Sequence, residues 1–317
     1  MTTADAVAVP AAEVHSRSPR QLFWVRFKED KAAMGAGLVI LILIFLAIFG
    51  GPLAVRITGH PQNEPYAETM LDDFGIPRGP NSKFWFGADA AGRDLFVRVM
   101  YGARTSLLVG IVASGLAVAI GTLVGLLAGY FGSWTDMALS RGADVMLAVP
   151  SLLISIGIVA SCSTTKQGCL GGLVQPGLTL VILVIVLFSW SYVARVVRGN
   201  TLSLKEKDFV EASRSIGAGG TRIVAGDLLP NLTAPILVLA TLLIPQSILF
   251  EAALSYLGLG VPPDQASWGQ TLADASGLYD VAWWLMVFPG AFLVVTTLAF
   301  NLLGDGLRDA LDVRTDR

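Results

Sequence analysis

The stretch KEKDFVEASRSIGAGGTRIVAGDLLPN, residues 205–231, is polar and lies between two long apolar segments. Asp208 stands three residues before Glu211, a spacing like that of a capping box at a helix start. A run of glycines beginning at Gly217 then breaks the helix, and Thr221 can cap a second one. The stretch therefore predicts two short helices at an angle, a construction that a simple linker does not need.

Six segments of the chain contain no Asp, Glu, Lys or Arg, and each is longer than the roughly 20 residues that cross a bilayer as a helix. These segments predict an all-α integral membrane protein with six transmembrane helices. They are Ala32–Val55, Thr105–Thr135, Val145–Thr165, Gln167–Ala194, Leu228–Phe250 and Val281–Gly304.

Composition agrees with a membrane protein and excludes several other classes. The 317 residues are 54% hydrophobic and only 15% charged, against about 25% charged in ordinary soluble domains. A net charge of −2 gives no electrostatic footprint for nucleic acid. Two histidines, His15 and His60, and two cysteines are too few for a convincing metal site or a histidine-based catalytic site.

Basic residues predict the orientation of the six helices. They collect before Ala32, between positions 195 and 227, and after position 304. The positive-inside rule therefore places both termini and residues 205–231 in the cytoplasm. Residues 21–31 mix aromatic and basic side chains, which fits either an amphipathic helix on the inner membrane surface or an anchor for the first crossing.

Glycine spacing in the second predicted crossing indicates close helix packing. Gly121, Gly125 and Gly129 follow one another at four-residue intervals. Such small-xxx-small spacing lets two helix backbones approach closely, so we expect a packing role for these residues rather than a contact with solute.

The polar stretch resembles the signature loop of permease subunits of ABC importers. The resemblance rests on the spacing of Glu211, Ala212, Ser213, Gly217, Leu229 and Pro230. In that family the loop forms a coupling helix that docks into a groove on the ATPase subunit, so the resemblance implies that ATP-driven closure moves the attached helices. Two positions depart from the family: Ser213 replaces the usual alanine and Asp227 the usual histidine. The alternative is a cytoplasmic loop without a partner.

Three further stretches narrow the family to the C-type permease of dipeptide, oligopeptide and nickel importers. They are FGADAAGRDLFVRVMYGARTSL (Phe86–Leu107), YLGLGVPPDQASWG (Tyr256–Gly269) and FPG…AFNLLGDGLRDALD (Phe288–Asp312). The opening WVRFKEDKAAMGAG is also similar to that family, and the match extends over residues 21–313. The resemblance implies the type I ABC importer permease fold in the cytoplasmic membrane of a prokaryote.

The same resemblance implies a set of partners within the lipid membrane and on both sides of it. They are a B-type permease, two ABC ATPase subunits or domains that hold ATP and Mg²⁺, and an extracytoplasmic solute-binding protein. This chain has no phosphate-binding loop of the Walker type, because none of its lysines follows a glycine. We therefore expect it to bind no cofactor of its own and to form the path for di- or oligopeptides. The alternative cargo is chelated nickel or another small solute.

Residue ranges follow from the predicted crossings and from the resemblance. The predicted units are a cytoplasmic tail with the amphipathic segment (1–31), the first transmembrane helix (32–57), an extracytoplasmic loop (58–104), a five-helix core (105–304) containing the coupling loop (195–230), and a cytoplasmic tail (305–317).

A polar face on the fifth crossing is a candidate lining of the translocation path. Ser247, Glu251 and Ser255 recur every four residues on one helix face, with Gln246 beside them. A carboxylate at mid-membrane is costly, so Glu251 should face the bundle interior or water. It could meet a cationic group such as a peptide ammonium. Alternatively, it is a buried carboxyl hydrogen-bonded to its neighbours or lying near the outer mouth.

Other polar residues are assigned structural roles. Cys162 and Cys169 fall in one outer loop and predict a disulfide on the oxidising face, with free thiols as the alternative. Arg93 and Asp94 of the GRD stretch predict an Arg–Asp brace at the outer face, and Pro150, Pro245 and Pro289 can each kink their crossing. We also expect three charged residues near the third crossing to pair with one another: Asp136, Arg141 and Asp144.

A membrane enzyme and a secondary transporter are the alternatives to an ABC permease. A membrane enzyme would need a nucleophile, a histidine and an acid, and no such constellation is visible. A secondary transporter would be expected to show paired repeats or an intramembrane ion relay, and no docking element. Dependence of transport on a separate ATPase distinguishes an ABC permease from a secondary transporter.

Overall fold

The structure, a computed structural model, describes residues 19–163, 168–169, 172 and 174–311. Residues 1–18 and 312–317 lie outside this part. Helices make up the regular structure of the described residues. They are α1 (Pro19–Glu29), α2 (Lys31–Thr58), α3 (Ala67–Met70), α4 (Leu95–Phe131), α5 (Ser133–Ala148), α6 (Ser151–Ser163), α7 (Leu178–Leu204), α8 (Asp208–Ser215), α9 (Gly220–Tyr256), α10 (Trp268–Ala275) and α11 (Trp284–Leu311).

Five of these helices, α2, α4, α7, α9 and α11, are long and apolar enough to cross a membrane. Helices α5 and α6 form a pair bent by 85°, which passes the same test as one broken span. With that pair counted as one crossing, the described residues contain the six crossings that the sequence predicts, and the all-α membrane fold is confirmed.

The bend between α5 and α6 falls at Pro150, as predicted. Val149, the residue before it, is extended (φ −86°, ψ 135°). Proline lacks a backbone N–H, and its ring disfavours helical geometry at the preceding residue, so a helix ends there. The third crossing is therefore two short helices rather than the single helix predicted for Val145–Thr165.

Several crossings are longer than predicted, because the prediction ended each crossing at the first charged residue and the helix continues past it. Helix α4 begins at Leu95 rather than Thr105, because the Asp94 side chain caps it by accepting a hydrogen bond from Phe96 N (2.9 Å). Helix α9 continues past Phe250 and carries Glu251. In both helices a charged residue set the limit of the predicted apolar segment, although the helix itself continues beyond that residue.

The packing of α4 against α7 depends on the glycine stripe of α4, which consists of Gly121, Gly125 and Gly129. A Cβ atom added at Gly121 would lie 2.5 Å from Val193 Cβ, and one added at Gly125 would lie 2.6 Å from the backbone oxygen of Ala194. Distances this short leave no room for a side chain, so the predicted close approach of two helix backbones is confirmed.

The N-terminal segment forms helix α1, which packs against α11. It ends at Glu29 because the Asp30 side chain caps the next helix, accepting hydrogen bonds from Ala32 N (2.9 Å) and Ala33 N (3.0 Å). Trp24 of α1 is 55% exposed. An aromatic helix therefore exists here, and its position on the inner membrane surface stays a prediction.

Candidate functional site

The polar stretch between α7 and α9 contains one short helix, α8, which begins at Asp208. Its N-cap residue is Lys207, and no side chain caps the helix start. The predicted capping arrangement is therefore wrong, because Asp208 is itself helical. Asp208 and Glu211 both lie in the first turn, where a negative charge is favoured by the positive end of the helix dipole.

Gly217 ends α8 in the way that the sequence predicts. Its φ of 82° places it in the left-handed region, where glycine is favoured. Its N–H donates to Arg214 O (2.9 Å), and the next N–H, that of Ala218, donates to Ser213 O (3.0 Å). This pair of hydrogen bonds is the Schellman motif, which satisfies the last carbonyl groups of a helix.

The second short helix predicted in this stretch is in fact the N-terminal end of α9. The helix begins at Gly220, and Thr221 lies inside its first turn instead of capping it. It continues through a π-helical segment, Ile223–Leu228, into the membrane-crossing part. Leu229 and Pro230 therefore lie on the crossing helix itself, so a force on the stretch acts directly on a membrane span.

Apolar side chains anchor this region to the neighbouring crossing α7. Val210, Ile223 and Leu228 are each at most 1% exposed. They form one cluster with Val193 and Val197 of α7. Burial of this face holds α8 on the bundle, because each fully buried aliphatic side chain stabilises packing by about 1.5–3 kcal/mol.

Two cationic side chains tie the same region to the end of α4. The Lys205 ammonium donates a hydrogen bond to Gly129 O (3.2 Å). The Arg214 guanidinium lies 5.8 Å from the centre of the Tyr130 ring, within cation–π range. Helix α8 is therefore held to α4 as well as to α7.

The outward face of α8 combines polar groups with two exposed apolar side chains. Phe209 is 40% exposed and Ile216 is 79% exposed. Ser213 is half-buried, and the other residues of the predicted docking loop are exposed: Asp208, Glu211, Ala212, Gly217, Leu229 and Pro230. Large apolar side chains exposed on an otherwise polar element are typical of a protein contact surface.

Glu251 near the C-terminal end of α9 is fully buried and held by hydroxyl groups. Its Oε1 accepts hydrogen bonds from Ser255 Oγ (2.7 Å) and Ser267 Oγ (2.9 Å). Ser106 of α4 also faces this carboxyl. The arrangement matches the alternative in which Glu251 is a buried carboxyl bonded to its neighbours, and it links three elements of the fold.

The predicted polar face of α9 divides into two environments. Ser247 and the exposed Gln246 line a cavity at the bend between α5 and α6, together with Ser189 of α7. Glu251 and Ser255 instead lie in the interior of the subunit. Of the four predicted path residues, Gln246 and Ser247 are the two that reach a cavity.

The end of the bundle at which α4 begins contains a buried ionic cluster that the sequence did not predict. Arg98 is 0% exposed, and its Nε lies 3.1 Å from Asp89 Oδ2. Its other nitrogens donate to Asn63 Oδ1 (3.1 Å) and Pro263 O (3.2 Å). The sequence contained one indication of this cluster, because Arg98 is a charged residue among apolar ones in the stretch Phe86–Leu107.

The predicted Arg–Asp brace exists with a different acid. Arg93 donates to Asp89 (2.7 Å), whereas Asp94 caps α4 and contacts His60 Nδ1 (2.6 Å). The second nitrogen of Arg93 lies 3.7 Å from Asp274. Burial raises the pKa of the Asp274 carboxyl, and the attraction of the nearby Arg98 opposes this rise.

Ion pairs at the broken crossing differ from the predicted ones. Asp136 of α5 accepts two hydrogen bonds from Arg198 of α7, and Asp144 accepts one from Arg195. The acids thus pair across to α7 and not with Arg141, because a neighbouring helix brings an arginine opposite each of them.

The two cysteines are joined in the structure. Cys162 at the end of α6 and Cys169 form a disulfide with a Cα–Cα distance of 4.9 Å. Residues 164–167 between them lie outside the described part. The location of this bridge on the oxidising face stays a prediction. Within the described residues, no three His, Cys, Asp or Glu side chains lie together as a metal site would need.

An all-helical chain with several crossings and an exposed helix beside one of them has the architecture of an importer permease, and sequence comparison establishes the class. The chain belongs to the family of binding-protein-dependent transport system inner membrane components, whose family model matches residues 121–317. Residues 18–73 match the N-terminal transmembrane domain of oligopeptide transport permease C. The chain is thus an ABC importer permease, a transport component of the bacterial inner membrane with several crossings.

Among its relatives are the glutathione transport system permease proteins GsiD. The protein from Escherichia coli O6:K15:H31 is 42% identical over 297 residues, which cover 93% of this chain and 91% of the relative. The protein from Shigella boydii serotype 4 has the same identity, and the one from Pectobacterium atrosepticum is 39% identical.

Solved structures support the fold. An inward-facing structure of the MetNI methionine ABC transporter superposes with a TM-score of 0.54 and covers 68% of this chain and 96% of its own. Its sequence identity is 20%, so the likeness concerns the fold alone. The expected type I importer permease fold is confirmed.

Proposed function

We propose that this permease imports small peptides or peptide-like solutes, and that separate ATPase subunits drive it through α8. The exposed face of α8, anchored to α4 and α7 and followed directly by the crossing helix α9, is the observation that carries the proposal. Its contact residues are Asp208, Glu211, Ala212, Ser213, Gly217, Leu229 and Pro230.

The proposed assembly has partners on both sides of the membrane. A B-type permease completes the path, two ATPase subunits or domains bind ATP and Mg²⁺ at the cytoplasmic side, and a binding protein delivers solute from outside. The membership in a binding-protein-dependent family supports the last two partners. Both termini and α8 then lie in the cytoplasm, in agreement with the distribution of basic residues.

Transport in this proposal is alternating access. Closure of the ATPase pair pushes α8, and the bundle exchanges between inward-open and outward-open states because α8 packs on α4 and α7 and lies beside α9. Gln246 and Ser247 are the proposed path residues with access to a cavity.

The proposed cargo is a peptide-like molecule with the size of glutathione or a dipeptide. The 42% identity to glutathione permeases supports this class. Chelated nickel or another small solute is the alternative within the same machinery, and a secondary transporter is the alternative outside it.

The docking proposal predicts that Ile216→Asp weakens ATPase binding. Burying an isoleucine contributes about 1.5–3 kcal/mol, which corresponds to a roughly ten- to hundredfold change in affinity. Co-purification of the ATPase with the permease measures it. Phe74→Asp is the matched control, because Phe74 is 89% exposed in the loop on the other side of the bundle. Equal ATPase recovery with both variants would show that α8 is not the docking surface.

The cargo is tested by uptake into proteoliposomes that contain the complete complex. We expect ATP-dependent uptake of labelled glutathione, competed by unlabelled dipeptide and lost when the ATPase is inactivated. Uptake of a nickel chelate without competition by peptide would favour the alternative cargo. Uptake that persists with an inactive ATPase would indicate a secondary transporter.

A further inference from the structure

We propose that Glu251 is a positioning residue that fastens the outer loop 257–267 and helix α10 to the outer end of α9. The inference rests on the proposed function, because it assigns a mechanical role within ATP-driven transport. In this role Glu251 acts as a hydrogen-bond acceptor inside the subunit and does not meet the cargo.

The first step is the set of groups that hold the carboxyl. Two hydroxyl groups, Ser255 Oγ on α9 and Ser267 Oγ at the start of α10, donate to the same oxygen of Glu251. Ser267 also caps α10 by accepting a hydrogen bond from Gln270 N (3.0 Å). Hydroxyl donors, not cations, therefore hold this oxygen, and the carboxyl joins the end of one helix to the beginning of another.

The start of α10 is also held against α4. Trp268 is 0% exposed, and its backbone N–H donates to Ser106 Oγ (3.2 Å) while its indole N–H donates to Val99 O (3.0 Å). A Cβ atom added at Gly269 would lie 2.5 Å from Ala252 Cα on α9. Helix α10 is thus wedged between α4 and α9 directly beside Glu251.

The middle of the loop before α10 is tied at Val261 and at Pro263. Ser255 Oγ accepts a hydrogen bond from Val261 N (3.3 Å), and Pro263 O accepts hydrogen bonds from Arg98 and Arg93 (3.2 Å each). Glu251 orients Ser255, so the carboxyl lies at the centre of these ties. Loss of the carboxyl would remove the tie to Ser267 and the orientation of Ser255, while the N–H of Leu259 still donates to Leu254 O (2.9 Å) and the arginines still hold Pro263.

Helix α9 connects this point to the opposite face of the bundle. It runs without a break from Gly220 to Tyr256, and Glu251 lies about 45 Å from its start at 1.5 Å per residue. A displacement at the α8 end is carried by this helix, and the Glu251 ties pass it to the outer loop and α10. The outer face therefore follows the movement of α8.

Two substitutions distinguish a role of Glu251 as a hydrogen-bond acceptor from a role that needs its negative charge. The amide oxygen of glutamine accepts the same two hydroxyl donors but carries no charge. We expect Glu251→Gln to keep at least about half of wild-type ATP-dependent glutathione uptake in the complete complex. Glu251→Ala should lose about tenfold in uptake while its ATP hydrolysis stays within about twofold of wild type.

A second measurement follows the outer loop directly. Amide hydrogen exchange of residues 257–275 is compared with and without a non-hydrolysable ATP analogue. We expect the analogue to change exchange in the wild type and in Glu251→Gln, and to have no effect there in Glu251→Ala. Loss of transport through general damage would instead lower ATP hydrolysis and complex recovery together.

Ser191→Ala is the matched control, because Ser191 is a buried serine whose hydroxyl bonds only to its own helix, at Phe188 O (2.7 Å). If Glu251→Ala fails to assemble, Ser255→Ala decides the question, since it removes one donor and the tie to Val261. It should lower uptake at least about threefold relative to Ser191→Ala.

Three results would overturn the inference. They are equal loss of uptake in Glu251→Gln and Glu251→Ala, wild-type uptake in Glu251→Ala, and wild-type uptake in Ser255→Ala when Glu251→Ala does not assemble. The first would show that the charge is needed, as for a residue that meets a cationic cargo. Absence of ATP-dependent uptake in the wild-type complex would count against the proposed function itself.

Discussion

Two buried acids show how this protein holds charge away from water. Asp89 lies between two arginines and also accepts backbone N–H groups from Ala91 and Arg93. Glu251 has hydroxyl donors instead. The first arrangement compensates a full charge with opposite charges, whereas the second satisfies a single oxygen with neutral groups. The ionic cluster is therefore a strong structural fastening, and the Glu251 contacts are a weaker and more adjustable one.

At the residue scale, Asp89→Ala should destabilise the outer face. The substitution leaves Arg98 buried without its acid, and breaking a buried pair in this way costs about 3–5 kcal/mol. Arg98 keeps its bonds to Asn63 and Pro263, so we expect the lower end of that range. Thermal unfolding of the purified protein measures the loss. The exposed Asp73→Ala should change stability by less than about 0.5 kcal/mol, and equal shifts would contradict a buried ionic role.

At the element scale, the main contact joins two long helices, α4 and α7, with glycines on the α4 side. The glycine stripe of α4 meets the Val193 side chain and the backbone oxygen of Ala194 on α7. The end of α4 also receives the contacts of Lys205 and Arg214, and α8 itself packs against Ile223–Leu228 near the start of α9. Small residues at this contact are therefore required by geometry.

The stripe predicts opposite effects for two glycines of the same helix. Gly125→Ala should destabilise the protein by about 1–3 kcal/mol, because the new methyl group would overlap the Ala194 carbonyl. Gly115→Ala should be neutral or stabilising by up to about 1 kcal/mol, since no atom lies within 4 Å and alanine favours the helix. Melting temperatures of the two variants provide the comparison. A lower melting temperature for Gly115→Ala than for Gly125→Ala would count against the close α4–α7 contact.

At the scale of the whole molecule, polar structure lies at both ends of an apolar bundle. Helix α8 and the ion pairs of α5 with α7 occupy one end, and the Arg98 cluster, the loop 257–267 and α10 occupy the other. Helix α9 runs between these ends. A signal from one face to the other therefore has a continuous physical route.

Reagent accessibility tests the proposed orientation. Single cysteines replace Lys207 beside α8 or Asp73 in the loop 58–94, both exposed, in a chain with Cys162 and Cys169 changed to alanine. A membrane-impermeant maleimide should label Asp73→Cys in intact cells and Lys207→Cys only after the membrane is opened. The reverse pattern would place α8 outside and remove the ATPase docking proposal.

The sequence by itself determined the membrane class, the crossings and the break at Pro150. These properties depend on the local apolar run and on proline chemistry, which need no tertiary context. The end of α8 at Gly217 was equally local, because glycine at a left-handed position is a property of the single residue. The resemblance also singled out the stretch 205–231, where the structure places the exposed helix α8, and its docking role stays a proposal.

Only the tertiary structure decided which polar groups meet. Charge counting began the second crossing too late, at Thr105, because it stopped at Arg104 and could not show that Arg98, nearer the helix start, is compensated by Asp89 on a separate loop. The polar periodicity of α9 could place Glu251 on a face, but not say that Ser267 of α10 covers it. The groups that compensate a buried charge or acceptor are distant from it in sequence. Residue spacing along one helix therefore does not show which segment of the protein packs against that helix.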